Sequence, residues 1–284
     1  MDREGHGVMR DKIGFMQGRL SPQIDGKIQA FPWPYWQEEF RSSSSIGLRL
    51  MEWTLDQDRI FENPLMTDDG RRTIRALSRQ NGVNIPSLTG DCFMQAPFWK
   101  EEGAKQAKLV STFQQVLEAC GAIDIRFVVV PLVDNGALET REQQRVLEKT
   151  LIDFVPLLKE KQLVIVFESD FPPLKLAEFI ERLPLELFGL NFDMGNSASL
   201  GWDPEEEISI IGSRIFNVHV KDRVLGGTTV PLGQGNVDFS RVFSLLRDIH
   251  YPGNLILQTA RTSDGTHAAT LARYADFVAS YVAD

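Results

Sequence analysis

The sequence predicts a (β/α)8 TIM barrel formed by a single domain over residues 1–284, and three observations lead to this prediction. Eight short apolar, β-branched segments alternate with longer helical segments, as expected for parallel strands covered by helices. No Pro-, Gly- or Ser-rich linker separates two halves of the chain. The turn after the first predicted strand, residues 18–22, lacks the glycine fingerprint of an open dinucleotide-binding sheet. Eight units of about 35 residues each suit such a barrel, with residues 1–11 as a loose N-terminal tail.

The predicted strands are apolar runs whose hydrophobicity is nearly continuous instead of alternating, which is typical of strands buried on both faces. In chain order they are Ile13–Leu20, Leu48–Trp53, Ile85–Thr89, Arg126–Leu132, Leu163–Glu168, Phe188–Phe192, Ile215–Val220 and Leu255–Gln258.

The predicted helices fill the intervals between these strands. Asp69–Asn81 has the clearest ends, because Asp68 or Asp69 can act as its N-cap and Gly82 can stop it. The other helices are Trp36–Ile46, Ala104–Cys120, Arg141–Lys161, Leu174–Leu183, Pro204–Ile211, Asp238–Ile249 and Thr266–Val282.

Composition and charge exclude several classes of protein. Lys and Arg number 30 against 39 Asp and Glu, and the net charge of -9 argues against binding to a nucleic-acid backbone. Cys92 and Cys120 are too few for a disulfide framework. The longest apolar run, Phe127–Val133, is too short to cross a membrane, and the N-terminal segment has no apolar signal region. We therefore expect a soluble cytoplasmic protein that acts on a small molecule, with no nucleic-acid or membrane partner; a homo-oligomer stays open.

Polar residues concentrate at the carboxyl ends of the predicted strands, where TIM barrels carry their active sites. Four of them, Glu168, Asp193, His219 and Gln258, belong to four successive strands. Taken singly, such an acid is more often a helix cap and such a histidine is more often part of the core. Taken together, two carboxylates, an imidazole and an amide oxygen suit one divalent ion of Mn, Mg, Co or Zn.

Seven short motifs resemble the xylose isomerase-like sugar phosphate isomerase and epimerase family. They are IGFMQGRLSP at Ile13–Pro22, MEW at Met51–Trp53, VFESD at Val166–Asp170, NFDMGN at Asn191–Asn196, NVHVKD at Asn217–Asp222, PLGQGNVDF at Pro231–Phe239 and LILQTAR at Leu255–Arg261. The resemblance covers nearly the whole chain. It implies a TIM barrel with one divalent metal, whose ligands map to Glu168, Asp193, His219 and Gln258.

Two positions depart from the family pattern. Gln258 stands where the fourth ligand is normally Glu, and Asn196 stands where many members have His. An amide oxygen can still contact a metal, but it brings no charge and accepts no proton. The family's use of two carboxylates, on opposite faces of the substrate, therefore does not carry over to this chain.

The candidate catalytic residues are Glu168 and Lys221. Glu168 ends an apolar strand, where burial is expected to raise its pKa and suit it as a base. Lys221 follows His219 by two residues, so both side chains point into the site if the strand continues. For proton transfer on the opposite face, the candidates are Lys221, Glu52, Asp91, Asp170 and Asp222.

Seven residues are predicted to bind substrate: Arg19, Glu52, Trp53, Asp91, Asn196, Asp222 and Arg261. The two arginines can hold a phosphate or carboxylate, although salt bridges at the rim explain them equally well. Trp53 can stack on a sugar, or can fill space beneath the loops.

These predictions favour a metal-dependent isomerase or epimerase that removes a proton next to the carbonyl group of a sugar or sugar phosphate. One alternative is a dehydratase acting on a related compound, since elimination needs only one base. Another is a sugar-binding protein that has lost catalysis, which the same two departures suggest.

Overall fold

The computed structural model describes residues 11–282, which form a closed barrel of eight parallel strands. The barrel strands are β1 (Ile13–Met16), β2 (Leu50–Thr54), β3 (Asn84–Thr89), β4 (Phe127–Leu132), β5 (Val164–Ser169), β6 (Phe188–Asp193), β7 (Ile215–Val220) and β10 (Leu255–Leu257). They follow chain order around the barrel, and β10 closes it by pairing with β1. The predicted TIM barrel is therefore confirmed. The tail predicted over 1–11 lies, apart from its last residue, outside the described residues.

Helices cover the outside of the barrel. They are Trp36–Ser45, Asp68–Asn81, Asp91–Gln95, Gly103–Ala122, Arg141–Asp153, Val155–Lys161, Pro173–Ile180, Met194–Leu200, Pro204–Ile211, Phe239–Asp248 and His267–Val282. A small antiparallel hairpin, β8 (Asp222–Arg223) with β9 (Thr229–Val230), follows β7. Across residues 11–282, none of the helices combines the length and the apolar character needed to cross a membrane.

Strand β1 is shorter than predicted, because the chain leaves the barrel after Met16. Gly18 has φ of +93°, a conformation that glycine adopts without strain. The backbone N–H groups of Gly18 and Leu20 donate to the carboxylate of Glu39 on the first helix instead of to a neighbouring strand. Residues 17–20, predicted as the end of this strand, thus belong to the first loop.

The helix predicted over Arg141–Lys161 is interrupted at Phe154, so that two helices connect β4 to β5. Pro156 has no N–H group to donate to the carbonyl group one turn earlier, which favours a break at this point. The N-cap of the helix Asp68–Asn81 also differs from the prediction. Thr67 caps it by accepting a hydrogen bond from the N–H of Gly70, and Gly82 ends it with φ of +63°.

The register of the sheet brings the polar strand ends together. Asp193 on β6 lies beside His219 on β7, and His219 lies beside Ile256 on β10. Neighbouring residues in register point to the same side of a sheet. The side chains of these strand ends therefore project into one shared space at the carboxyl end of the barrel.

Candidate metal and substrate site

Glu168, Asp193 and His219 form a buried triad at the carboxyl ends of β5, β6 and β7. Each offers one possible ligand atom, and these atoms lie within 4.8 Å of one another. His219 Nδ1 is 3.2 Å from Glu168 Oε2 and 4.0 Å from Asp193 Oδ2. Two carboxylates and one imidazole are a donor set that suits several divalent metals. The triad therefore fits one divalent ion, as the sequence predicts.

Glu52, on β2, fixes the orientation of the His219 ring from behind. Its Oε1 lies 2.7 Å from His219 Nε2, and its Oε2 accepts hydrogen bonds from Ser87 Oγ and Asn217 Nδ2. A carboxylate on one ring nitrogen directs the other nitrogen toward a metal and raises its basicity. Glu52 is completely buried, so the structure places this predicted substrate-binding residue behind the triad.

Neighbouring charges change the pKa values of His219 and Glu168 in the triad. Burial by itself lowers the pKa of His219, but the nearby carboxylates of Glu52 and Glu168 raise it to about 10. Burial acts to raise the pKa of Glu168, as the sequence suggested, yet the hydrogen bond and charge of His219 together with the charge of Lys221 lower it overall. Glu168 is thus held ionised, contrary to the expectation of a raised pKa.

Asparagine side chains organise the triad further. Asn191 Nδ2 donates to Glu168 Oε2 at 2.9 Å and lies 3.0 Å from His219 Nδ1. Asn196 donates through Nδ2 to Glu168 Oε1 at 2.6 Å, and its backbone N–H donates to Asp193 Oδ1. Asn196, predicted to bind substrate, therefore orients both carboxylates.

Sequence reasoning missed Asn191, Asn217 and Ser87. A signal was present, because Asn191 and Asn217 stand two residues before Asp193 and His219 and therefore share their face of the strand. The link between the two strands is direct, since Asn217 Nδ2 donates to Asn191 Oδ1 at 2.8 Å.

Lys221 and Gln258 meet at the rim of the triad. Lys221 Nζ donates to Asp193 Oδ2 at 2.9 Å and to Gln258 Oε1 at 3.1 Å. The amide oxygen predicted as a metal ligand is therefore engaged by an ammonium group. The other end of the amide, Gln258 Nε2, donates to Gln29 Oε1 at 2.9 Å.

Gln29, which sequence reasoning also missed, reaches the site from the loop after β1. Its Nε2 donates to Asp91 Oδ2, while its Oε1 lies 3.5 Å from Arg19 Nη2. Burial and the charge of Asp56 raise the pKa of Asp91 to about 7. Burial and the charge of Arg261 lower the pKa of Arg19 to about 9. The structure thus brings two predicted substrate-binding residues, Arg19 and Asp91, to the Gln258 side of the site.

The three remaining predicted substrate-binding side chains contact other parts of the protein. Trp53 is buried between Phe31 and Trp36, and its Nε1 donates to Asn63. Both carboxylate oxygens of Asp222 accept backbone N–H groups from the loop of residues 233–237. Arg261 Nη2 donates to the carbonyl oxygen of Ser21. Each of these three contacts organises a loop around the mouth of the barrel.

Comparison with known proteins agrees with this architecture. The chain is 23% identical over 256 residues to L-ribulose-5-phosphate 3-epimerase UlaE of Salmonella paratyphi A, which covers 87% of this chain and 90% of that protein. Among solved structures, an IOLI protein with a bound zinc atom superposes with a TM-score of 0.73 at 16% identity, covering 95% of this chain and 99% of the other. D-psicose 3-epimerase, solved in the presence of D-fructose, gives a TM-score of 0.69 at 14% identity and covers 96% and 97%.

A family model described as xylose isomerase-like TIM barrel matches residues 40–278, which include the triad and Gln258. This match spans most of the chain and agrees with the resemblance seen in its motifs. The protein therefore belongs to the xylose isomerase-like TIM barrel family.

Proposed function

We propose that this protein is a metal-dependent epimerase that inverts a carbon next to the carbonyl group of a sugar or sugar phosphate, with Glu168 as a base. The position of Glu168 carries the proposal. Its Oε2 belongs to the triad, while its Oε1 is oriented by the amide of Asn196. The names of two similar proteins, L-ribulose-5-phosphate 3-epimerase and D-psicose 3-epimerase, support the same reaction.

Glu168, Asp193 and His219 would hold the divalent ion, with Gln258 as a weak or water-bridged fourth partner. When bound there, a Mn, Mg, Co or Zn ion would supply Lewis-acid polarisation of the substrate carbonyl group. The zinc atom in a structurally similar protein supports such an ion.

The chain's own residues move the proton. Glu168 takes the proton from the carbon beside the carbonyl group, and the C–H electron pair becomes part of a carbon–carbon double bond. Negative charge then develops on the carbonyl oxygen, giving an enediolate. The ammonium group of Lys221, 2.9 Å from Asp193 Oδ2, stabilises this charge. Return of a proton to the opposite face gives the epimer.

A basic group on the Gln258 side of the site binds the far end of the substrate in this proposal. Arg19 is largely buried and lies beside Gln29, where its guanidinium can accept a phosphate group. A phosphorylated ketose is therefore the preferred substrate in this proposal, and a free ketose is the second choice.

Solvent exchange tests the proposed chemistry directly. The metal-loaded protein is incubated in D2O with L-ribulose 5-phosphate, D-psicose, D-fructose or D-tagatose, and NMR follows deuterium at the carbon beside the carbonyl group. We expect exchange and formation of the epimer with at least one sugar. Glu168→Gln should lower both by about 10²–10⁴-fold, the usual contribution of a positioned base.

Glu160→Gln is the matched control, because Glu160 is an exposed glutamate on the helix Val155–Lys161 that precedes β5. It should keep wild-type turnover. Metal content is measured for each variant, because Glu168 belongs to the triad. Exchange at the wild-type rate in Glu168→Gln would refute the assigned base. Loss of water from the substrate would identify a dehydratase instead, and saturable binding without exchange would identify a sugar-binding protein.

A further inference from the structure

Inversion of a carbon needs a proton acceptor on one face and a proton donor on the other. Glu168 serves one face in the proposed reaction. On the far side of the triad, three strands away around the barrel, β10 presents Gln258, whose amide transfers no proton. Its two ends are engaged by Lys221 and Gln29. The second proton-transfer group must therefore come from another element.

Three acidic residues that the sequence suggested for proton transfer on the opposite face are in positions that do not suit this role. Glu52 is completely buried behind His219, and three side chains contact its carboxylate. Asp222 accepts three backbone N–H groups from one loop. Asp170 is exposed, and the charges that act on it are those of Asp134 and Lys175.

Asp91 differs from these three in its connections. It follows β3, is only 6% exposed, and accepts a hydrogen bond from Gln29 Nε2 through Oδ2. Gln29 Oε1 in turn accepts from Gln258 Nε2 at 2.9 Å. The side chain of Gln29 therefore links Asp91 to Gln258, the position at which the family pattern has a glutamate.

The electrostatic environment of Asp91 suits proton transfer. Burial and the charge of Asp56 raise its pKa to about 7, against the lowering effects of the Gln29 hydrogen bond and of Arg19. The charge of Glu168 also raises it, so the two carboxyl groups affect each other across the site. A group with this pKa holds and releases a proton readily near neutral pH.

We propose that Asp91 is the second proton-transfer residue, which exchanges a proton with the substrate on the face opposite to Glu168. This inference rests on the proposed epimerase function. Substrate displaces the Gln29 amide from Asp91 Oδ2, and the protonated carboxyl group then faces the enediolate. The O–H bond of Asp91 breaks as the double-bond electron pair forms the new C–H bond. Glu168 ends protonated and Asp91 ionised, and both regain their starting states by exchange with solvent.

Separate incubation of the two epimers in D2O tests this assignment. The pair is D-psicose with D-fructose, or L-ribulose 5-phosphate with its 3-epimer, whichever the wild type interconverts. In Asp91→Asn, the epimer that faces Glu168 should still gain deuterium, while inversion falls by about 10²–10⁴-fold. The other epimer should lose both exchange and inversion. Glu168→Gln should show the mirror-image pattern.

Two further variants separate chemistry from folding. Asp91→Glu keeps a carboxyl group and should recover part of the inversion, whereas Asp153→Asn, at an exposed residue of the helix Arg141–Asp153, should match the wild type. Two results would refute the role of Asp91 without refuting the proposed function. One is inversion at the wild-type rate in Asp91→Asn, and the other is an equal loss of exchange for both epimers. A wild type that neither exchanges nor inverts any of these sugars would overturn the proposed function itself and this inference with it.

Discussion

Replacement of Glu39 by glutamine removes a buried carboxyl group that holds the loop after β1. Glu39 is 1% exposed and accepts hydrogen bonds from Gly18 N at 2.8 Å, Leu20 N at 3.0 Å and Ser21 Oγ at 2.9 Å. Burial raises its pKa from 4.5 to about 7, although these hydrogen bonds and the charge of Arg261 act to lower it. The folded chain therefore keeps this proton to a higher pH than the unfolded chain does.

The sign of the effect on stability follows from proton linkage. Below pH 4.5 the Glu39 carboxyl group is protonated in both the folded and the unfolded chain. Its contribution to the stability of the folded chain is then fully present. As pH rises toward 7, the unfolded chain releases its proton first, so the free energy of unfolding falls. A pKa of about 7 instead of 4.5 corresponds to about 3 kcal/mol, at about 1.4 kcal/mol for each pH unit.

Urea unfolding at pH 5 and at pH 8 measures this contribution. Between these two values the wild type should lose about 2–3 kcal/mol more than Glu39→Gln loses. Glu38→Gln is the matched control, because Glu38 is the preceding residue on the same helix and its side chain is 63% exposed. Between pH 5 and pH 8, Glu38→Gln should lose as much free energy of unfolding as the wild type does. Equal pH dependence of Glu39→Gln and the wild type would refute the raised pKa of Glu39.

Three other predictions concern the metal and the rim of the site. The wild type should bind about one divalent ion per chain and His219→Ala should bind much less; equal metal content by elemental analysis would exclude the triad as the site. Gln258→Glu should tighten metal binding measured by calorimetric titration, because it adds a negative charge near a partly buried dication, and unchanged or weaker affinity would place Gln258 away from the ion. Asp222→Ala should lower the free energy of unfolding by about 1–3 kcal/mol, since backbone N–H groups lose their acceptor; wild-type stability in urea would show that water replaces the carboxylate.

The pattern of apolar runs along the chain is enough to predict the barrel and the strand ends that form the triad. Runs such as Phe127–Leu132 and Leu163–Phe167 are apolar without alternation, which is typical of a strand buried on both faces. Because parallel strands end at one side of a barrel, the order of Glu168, Asp193 and His219 along the chain already predicted that they converge. The hydrophobic pattern of each strand and the common direction of parallel strands are sufficient to predict these features.

The exact ends of strands and helices depend on contacts that particular residues make. The first strand was predicted to reach Leu20, yet β1 ends at Met16, and Glu39 accepts the N–H groups of the loop that follows. The break at Phe154 is favoured by Pro156, a signal that the sequence itself contains.

Tertiary contacts determine which of the polar residues meet at the mouth of the barrel and which support other parts of the protein. In the sequence, Glu52, Asp91 and Asp222 all stand at or near the ends of predicted strands, and their sequence patterns do not distinguish them. In the fold, Glu52 contacts the imidazole of His219, Asp222 binds backbone amides, and Asp91 meets Gln29.

The physical reason is the range of the contacts involved. Gln29 lies 229 residues from Gln258 along the chain, and the two meet only because the first loop folds across the mouth of the barrel. The path of a loop depends on many weak packing and hydrogen-bonding terms, whereas the periodicity of a strand depends on its own residues. The sequence thus predicts where the polar groups gather, and the three-dimensional path of the loops decides their partners.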